Sequence, residues 1–380
     1  MTQVFGRALL KEWLIEDDLT FLNHGSFGAV PRAVLSAQTD WRSQLERQPV
    51  HFINEILGPA LRSAADRLAH FVGAPPGSLV FVGNSTEGIN AVSRSLNLVS
   101  GDEILITDQA YTGAVNTLRY DCDRTGAKLT TVRLPWPSLD EKEVVDSVDA
   151  ALGNRVRLAI FDHISSHNAV VMPVKKLVEL CRVREIPVLV DGAHAPGMIA
   201  LNIADVGAAW YVGNGHKWLC APKGCALLSV SDDKRSALHP AVISTSYGKG
   251  FWEEFGWTGT RDPTSWLAVT AAIDFWQSLG VDAARTYMCN LANWAGDELV
   301  ARWGTERGAS SKLTAAMVTV RVPGNQSANH DTAHRLHECL LREHQIEVPV
   351  FPIGDALWVR VSTQVYNCEE DVVRLASALG

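Results

Sequence analysis

The 380 residues include 34 basic and 42 acidic side chains, a formal net charge of −8, and 47% hydrophobic residues. That apolar content fills a sizeable core and argues against disorder, while the length exceeds what one core usually serves, so two domains are expected. The acidic balance, without a basic cluster longer than a pair, argues against nucleic acid; seven irregularly spaced cysteines argue against a disulfide framework, and no apolar run reaches membrane-spanning length.

The opening "MTQVFGRALLKEWLIEDDLTF" lacks the basic-then-apolar order of a signal peptide, so a cytoplasmic protein with reduced thiols is expected. Short β-branched runs then alternate with amphipathic stretches, the pattern of an α/β protein with a mostly parallel sheet. Seven strands are predicted at 78–83, 103–108, 128–134, 156–162, 187–192, 208–213 and 225–230. Helices are predicted between them, including "STEGINAVSRSL" with its Ser/Thr start and "PVKKLVELCRVRE" with proline in its first turn. These elements form a predicted large domain over 20–265. Beyond it, "TSWLAVTAAIDFWQSLG" and "AARTYMCNLANWAGDELVARW" read as long helices. "LTAAMVTVRV" and "DALWVRVST" read as strands flanking a helix at 330–344. The expectation is a smaller α+β domain over 266–380, with residues 1–19 folded against it.

Three features point to chemistry. In "FVGNSTEGIN", Ser85 and Thr86 open a helix after a strand, where free N–H groups favour a phosphate; an ordinary helix cap would use the same residues. No GxGxxG or GxxxxGK[ST] motif supports a nucleotide. Asp191 ends the apolar strand of "VLVDGAHAPG", where a carboxylate needs a cationic partner. His194 follows three residues later, as a brace for that aspartate or as a packed core histidine. Lys217 lies among apolar neighbours in "GNGHKWLCAPKG", either as a structural lysine that snorkels to solvent or as one kept desolvated, which lowers its amine's pKa. Phosphate cradle, buried aspartate and desolvated lysine are the three protein parts that pyridoxal 5'-phosphate requires. The run "HDTAHRLHE" puts His330, His334 and His337 on one helix face, but HExxH is absent and a solvated face is expected rather than a metal site.

The segments "FLNHGSFGAVP", "DGAHAPG", "GNGHKW", "GTRDPTSWLAVTAAIDF" and "RVSTQVYN" together resemble the class V, fold-type I aminotransferase superfamily, within it the isopenicillin N epimerase-like group. The resemblance implies that Lys217 bears the cofactor covalently, that Asp191 faces its ring nitrogen and that His194 lies near it. It implies Ser85 and Thr86 in the phosphate turn with His216 close by, and Tyr111 over the ring. Ser165 or Ser166 falls where the ring's phenolic oxygen is contacted. Thr260 and Arg261 fall in a loop that reaches the phosphate of a neighbouring subunit, which implies a homodimer. Arg360 would clamp a substrate carboxylate, with Asn23 and His24 lining the substrate side. His167 stands where a smaller or amide-bearing residue is expected, as a second acid/base or as filler.

The reaction expected is removal of the Cα proton from a bulky amino acid of secondary metabolism, such as antibiotic biosynthesis. β-Elimination from an S-conjugated cysteine is preferred, epimerisation comes next, then oxidative decarboxylation or transamination, and last a non-catalytic binding role. A desulfurase that carries persulfide on a thiol is disfavoured, because no cysteine falls in an obvious reactive loop.

Overall fold

The computed structural model describes residues 5–137 and 139–380; the first four residues of the N-terminal segment lie outside them. Twelve strands are assigned among the described residues: β1 (Thr20–Phe21), β2 (Leu79–Val82), β3 (Glu103–Thr107), β4 (Lys128–Val132), β5 (Val156–Asp162), β6 (Val188–Asp191), β7 (Trp210–Asn214), β8 (Ala226–Val230), β9 (Met317–Arg321), β10 (Ile346–Glu347), β11 (Val350–Ile353) and β12 (Ala356–Ser362). The seven predicted strands of the first part make one sheet in the order β2-β8-β7-β6-β5-β3-β4. It is an α/β fold with a mostly parallel sheet; only β8 runs against its two neighbours.

Alternation along the strands explains why both faces are covered. In β5, Ala159 and Phe161 join one core, while Leu158 and Ile160 join the core on the other face. Helix Ser85–Ser95 packs its Ile89 and Val92 on that second face, and helix Leu57–Phe71 packs Leu61 and Leu68 on the first. β7 and β8 are joined by the short segment 215–225 without a crossover helix, so β8 must return antiparallel. That return loop contains Lys217.

β11, β12 and β9 form a separate antiparallel sheet, covered by helices Val281–Trp303, His330–His344 and Glu369–Leu379. β11 was not predicted: Pro352 and the flanking turn hide its short run. The helix predicted from "TSWLAVTAAIDFWQSLG" is interrupted at Ala268, giving Thr264–Leu267 and Val269–Leu279. The N-terminal segment meets the chain's far end. Gly6 N–H donates to the Val365 carbonyl at 2.7 Å, Arg7 pairs with Asp371 at 2.9 Å, and Trp13 lies edge-on to Tyr366. β1 pairs parallel with β10, which carries the "LNHGSFG" stretch to the ends of the large sheet's strands.

Candidate active site

The carboxyl ends of β5, β6 and β7 converge, as expected where parallel strands point one way. Asp162 and Asp191 are register partners on adjacent parallel strands and both are buried, so two carboxylates share one side of the sheet. Asp191 accepts a hydrogen bond from the Ala193 N–H at 3.0 Å. Burial pushes its carboxyl above the ordinary range, while the charge of Lys217 acts the other way. Asp162 is held well above that range, by burial first and then by the Asp191 charge. Sequence reasoning missed Asp162, although "FDH" ends its strand in the same way that "VDG" does.

Lys217 lies just past β7. Its Nζ is 3.1 Å from His194 Nε2, and the Trp218 indole N–H donates to His194 Nδ1 at 3.2 Å. An indole can only donate, so Nδ1 is the accepting nitrogen of a neutral imidazole and Nε2 carries the proton. Nε2–H therefore donates to the lysine, which must offer its lone pair and be uncharged. The electrostatics agree: burial, then Arg360, bring the Lys217 amine down to about 7, against the opposing pull of Asp191 and Asp162. Burial, with the charge of Lys217, holds His194 well below the usual histidine range. The expectation that Lys217 is desolvated by its apolar neighbours thus has a geometric counterpart, with Trp218 as an orienting group that sequence reasoning passed over.

At the same carboxyl end of β7, Ser85 opens the helix Ser85–Ser95 with its main-chain N–H bonded to Asn214 Oδ1 at 2.9 Å. Its hydroxyl is buried and has no partner. Thr86 is half-buried beside it, and Asn84 caps the helix. Within this chain Arg261 lies over the Trp266 ring at 4.4 Å, and its guanidinium approaches Glu87 to 4.0 Å; it and Thr260 next to it are exposed.

Arg360 is fully buried on β12, yet its donors find only neutral oxygens. NH1 donates to the Ser166 carbonyl at 2.5 Å, and NH2 to Ser26 Oγ at 3.0 Å and Asn23 Oδ1 at 3.4 Å; Nε has no partner. Burial brings this guanidinium down to about 10. A buried cation without a carboxylate is expensive unless an anion completes it. Asn23 is oriented in turn by Glu347, which accepts from its Nδ2 at 2.7 Å and is also bonded by His337. His337, expected on a solvated face, is thus tied to the site's periphery.

The other predicted residues fall as follows. Tyr111 is partly exposed at the start of helix Thr112–Thr125. His216 is half-buried with Nδ1 against the Cys225 carbonyl at 3.2 Å, and burial brings it to about 4. The Ser165 hydroxyl oxygen lies inside a turn and accepts from the Val170 N–H at 3.0 Å. His167 is half-buried beside Phe351, its pKa lowered by burial and by Arg360. His24 does not line open space. It is fully buried, with Nδ1 2.8 Å from the Tyr366 hydroxyl and Nε2 3.1 Å from the Lys217 carbonyl, and burial brings it to about 3.

The sequence profile of the family Aminotransferase class-V matches residues 27–375. This chain belongs to the class V aminotransferase family. Class V aminotransferases depend on pyridoxal phosphate, and this chain is an enzyme of that kind. Among relatives, isopenicillin N epimerase of Amycolatopsis lactamdurans is 37% identical, covering 96% of this chain and 95% of its own length. A probable chloroplastic L-cysteine desulfhydrase of Arabidopsis thaliana is 31% identical, covering 96% of this chain and 83% of its own. Among solved structures, the cystine C–S lyase C-DES with its product cysteine persulfide has a TM-score of 0.82 at 22% identity. The match covers 95% of this chain and 97% of that one, a likeness of fold.

This class V site fits the cofactor on its own features. The Ser85 hydroxyl is a buried donor without a partner at a helix N-terminus, and Asp191 is a buried carboxylate bonded only to a main-chain N–H. One calls for a phosphate and the other for a cationic ring nitrogen.

Proposed function

We propose that this class V enzyme removes the Cα proton of a bulky amino acid bearing sulfur on Cβ and expels that sulfur as a thiol. Residues 20–265 would supply the cofactor-binding part and 266–380 the smaller part that brings Arg360. Lys217, Asp191 and the Ser85–Thr86 helix end would hold the cofactor, with His194, His216, Tyr111 and Arg261 around them. The chemistry pyridoxal phosphate supplies when bound is an electron sink for Cα. Arg360, with Asn23 and Ser26 behind it, takes the substrate carboxylate in a bidentate grip and so fixes which bond at Cα faces Lys217.

The observation that carries elimination is the state of Lys217, which has a lone pair and a pKa about 7, while both ring nitrogens of His24, one of the two candidate second acids, are engaged. Elimination needs one base: Lys217 takes the Cα proton, and the C–S bond breaks with its electron pair leaving on sulfur. The thiolate then collects a proton, and water releases the remainder as pyruvate and ammonia. Cys122, Cys181, Cys220 and Cys225 are poor persulfide carriers, since they are buried and burial raises their thiols.

Epimerisation is the second reading. It is favoured by the 37% identity to an epimerase along almost the whole chain and by His167, half-buried on the Arg360 side. Product analysis with a panel of L-amino acids and cysteine S-conjugates decides. Thiol and pyruvate in equal amounts are expected; a D-isomer carrying solvent deuterium at Cα, without thiol, would replace this reading by epimerisation, and carbon dioxide by decarboxylation.

A further inference from the structure

The "LNHGSFG" stretch resembles a substrate-lining loop in sequence, yet its buried atoms point at the lysine turn. His24 Nε2 lies 3.1 Å from the Lys217 carbonyl. A carbonyl only accepts, so Nε2 carries the proton there, and Nδ1 takes the hydrogen of the Tyr366 hydroxyl at 2.8 Å. The Gln364 amide, 3.1 Å from the same Nε2, has the Cys220 sulfur at 3.8 Å as its alternative acceptor. A second bond runs the other way, from Lys223 Nζ to the Gly28 carbonyl at 2.9 Å. Between these two bonds Gly28 presses on the turn: a Cβ there would stand 2.2 Å from the His216 oxygen and 2.9 Å from Lys217 Cα. Within the turn Cys220 holds φ 61°, a left-handed conformation that a non-glycine residue keeps only when its surroundings impose it.

We propose that His24, fixed by Tyr366, is a positioning residue that holds the main chain of Lys217, so that the N-terminal segment sets where the lysine's amine sits. The proposal rests on the reading that Lys217 bears the cofactor, but its consequence concerns the lysine itself. The amine is faced by His194 from the segment after β6, by Arg360 from β12 and by Asp191 and Asp162 from β6 and β5. Its desolvation depends on the turn staying against them. Released, the amine reaches solvent and recovers an ordinary lysine pKa. Lys223 has a part here too, as the strut on Gly28.

The test compares side chains that reach different distances. Glutamine places an amide N–H near the position of Nε2 and can bond the Lys217 carbonyl, whereas asparagine matches only Nδ1 and Tyr366. In the full-length chain freed of cofactor, the pH dependence of Lys217 acetylation by acetic anhydride is followed by mass spectrometry of its peptide. The parent and His24→Gln are expected to share one midpoint. His24→Asn, His24→Leu and Tyr366→Phe should move it up by about one pH unit or more, toward the ordinary lysine value. If asparagine serves as well as glutamine, or if every folded variant keeps the parent midpoint, the proposal falls; should the leucine variant fail to fold, the asparagine and phenylalanine variants still decide. Borohydride trapping of the parent holoenzyme separates the two readings. A cofactor adduct on another lysine would overturn the assignment of Lys217 while leaving the acetylation result standing.

Discussion

Arg360 is buried near Lys217, and after burial itself its charge is what holds the Lys217 amine neutral. The reactive form of Lys217 is the neutral amine, so its pKa of about 7 makes cofactor uptake by the free chain pH-dependent. The rate of appearance of absorbance near 420 nm should rise about tenfold per pH unit below 7 and level off above it. Lys217→Ala should abolish the borohydride-reducible linkage, whereas Lys223→Ala should retain it. Arg360→Lys keeps the charge but loses the planar fork, and kcat/KM for an amino acid should fall by about 10². The carboxylates give a further expectation. Asp162 is raised well above its unfolded value, so the folded chain binds extra protons, and stability is lost as pH rises through the window between the two. Asp162→Asn should flatten that loss, seen as urea midpoints at pH 4 and 7 that differ less than in the parent. Asp191 was legible because it closes an apolar run; Asp162 had the same signature and becomes significant only through its register with Asp191.

Among the elements, the helix Ser85–Ser95 shows how closely the phosphate turn is seated. Gly88 on this helix faces β7, and a Cβ there would stand 2.6 Å from Val212 Cγ1, a β-branched side chain with nowhere to move. Alanine at this position gains about 1 kcal/mol of helix propensity but forces an overpacking cost of roughly 1–3 kcal/mol. Gly88→Ala should therefore lower the melting temperature, measured by calorimetry, with loss of cofactor retention as the helix end shifts. The strands were legible because they are short β-branched and apolar runs with clear bounding glycines and prolines. The break at Ala268 was not: both halves are apolar, and only packing against the helices Arg32–Arg47 and Leu57–Phe71 decides where the chain bends.

For the whole molecule, the homodimer is an expectation that one exposed side chain can test. Phe27, within the "LNHGSFG" loop, is 74% exposed, an unusual position for a phenylalanine unless another surface covers it. Sedimentation equilibrium should find a species of twice 41.4 kDa, and Phe27→Asp should weaken it; a monomeric parent would rule the homodimer out. No helix among the described residues is long and apolar enough to cross a membrane.

By itself the sequence determined the α/β alternation and the seven strands, because these follow from local periodicity, and it proposed Lys217, Asp191 and Ser85 for a pyridoxal phosphate site because they are polar groups at the ends of apolar runs. Only the tertiary structure decided what each of those groups faces. His24 and Tyr366 are 342 positions apart, and nothing local says that the histidine holds a main-chain carbonyl instead of a substrate. Arg360 likewise has no acid partner among the described residues. Hydrogen-bond partners and desolvation are set by what the fold brings close, and in this chain the decisive neighbours come from opposite ends of the sequence.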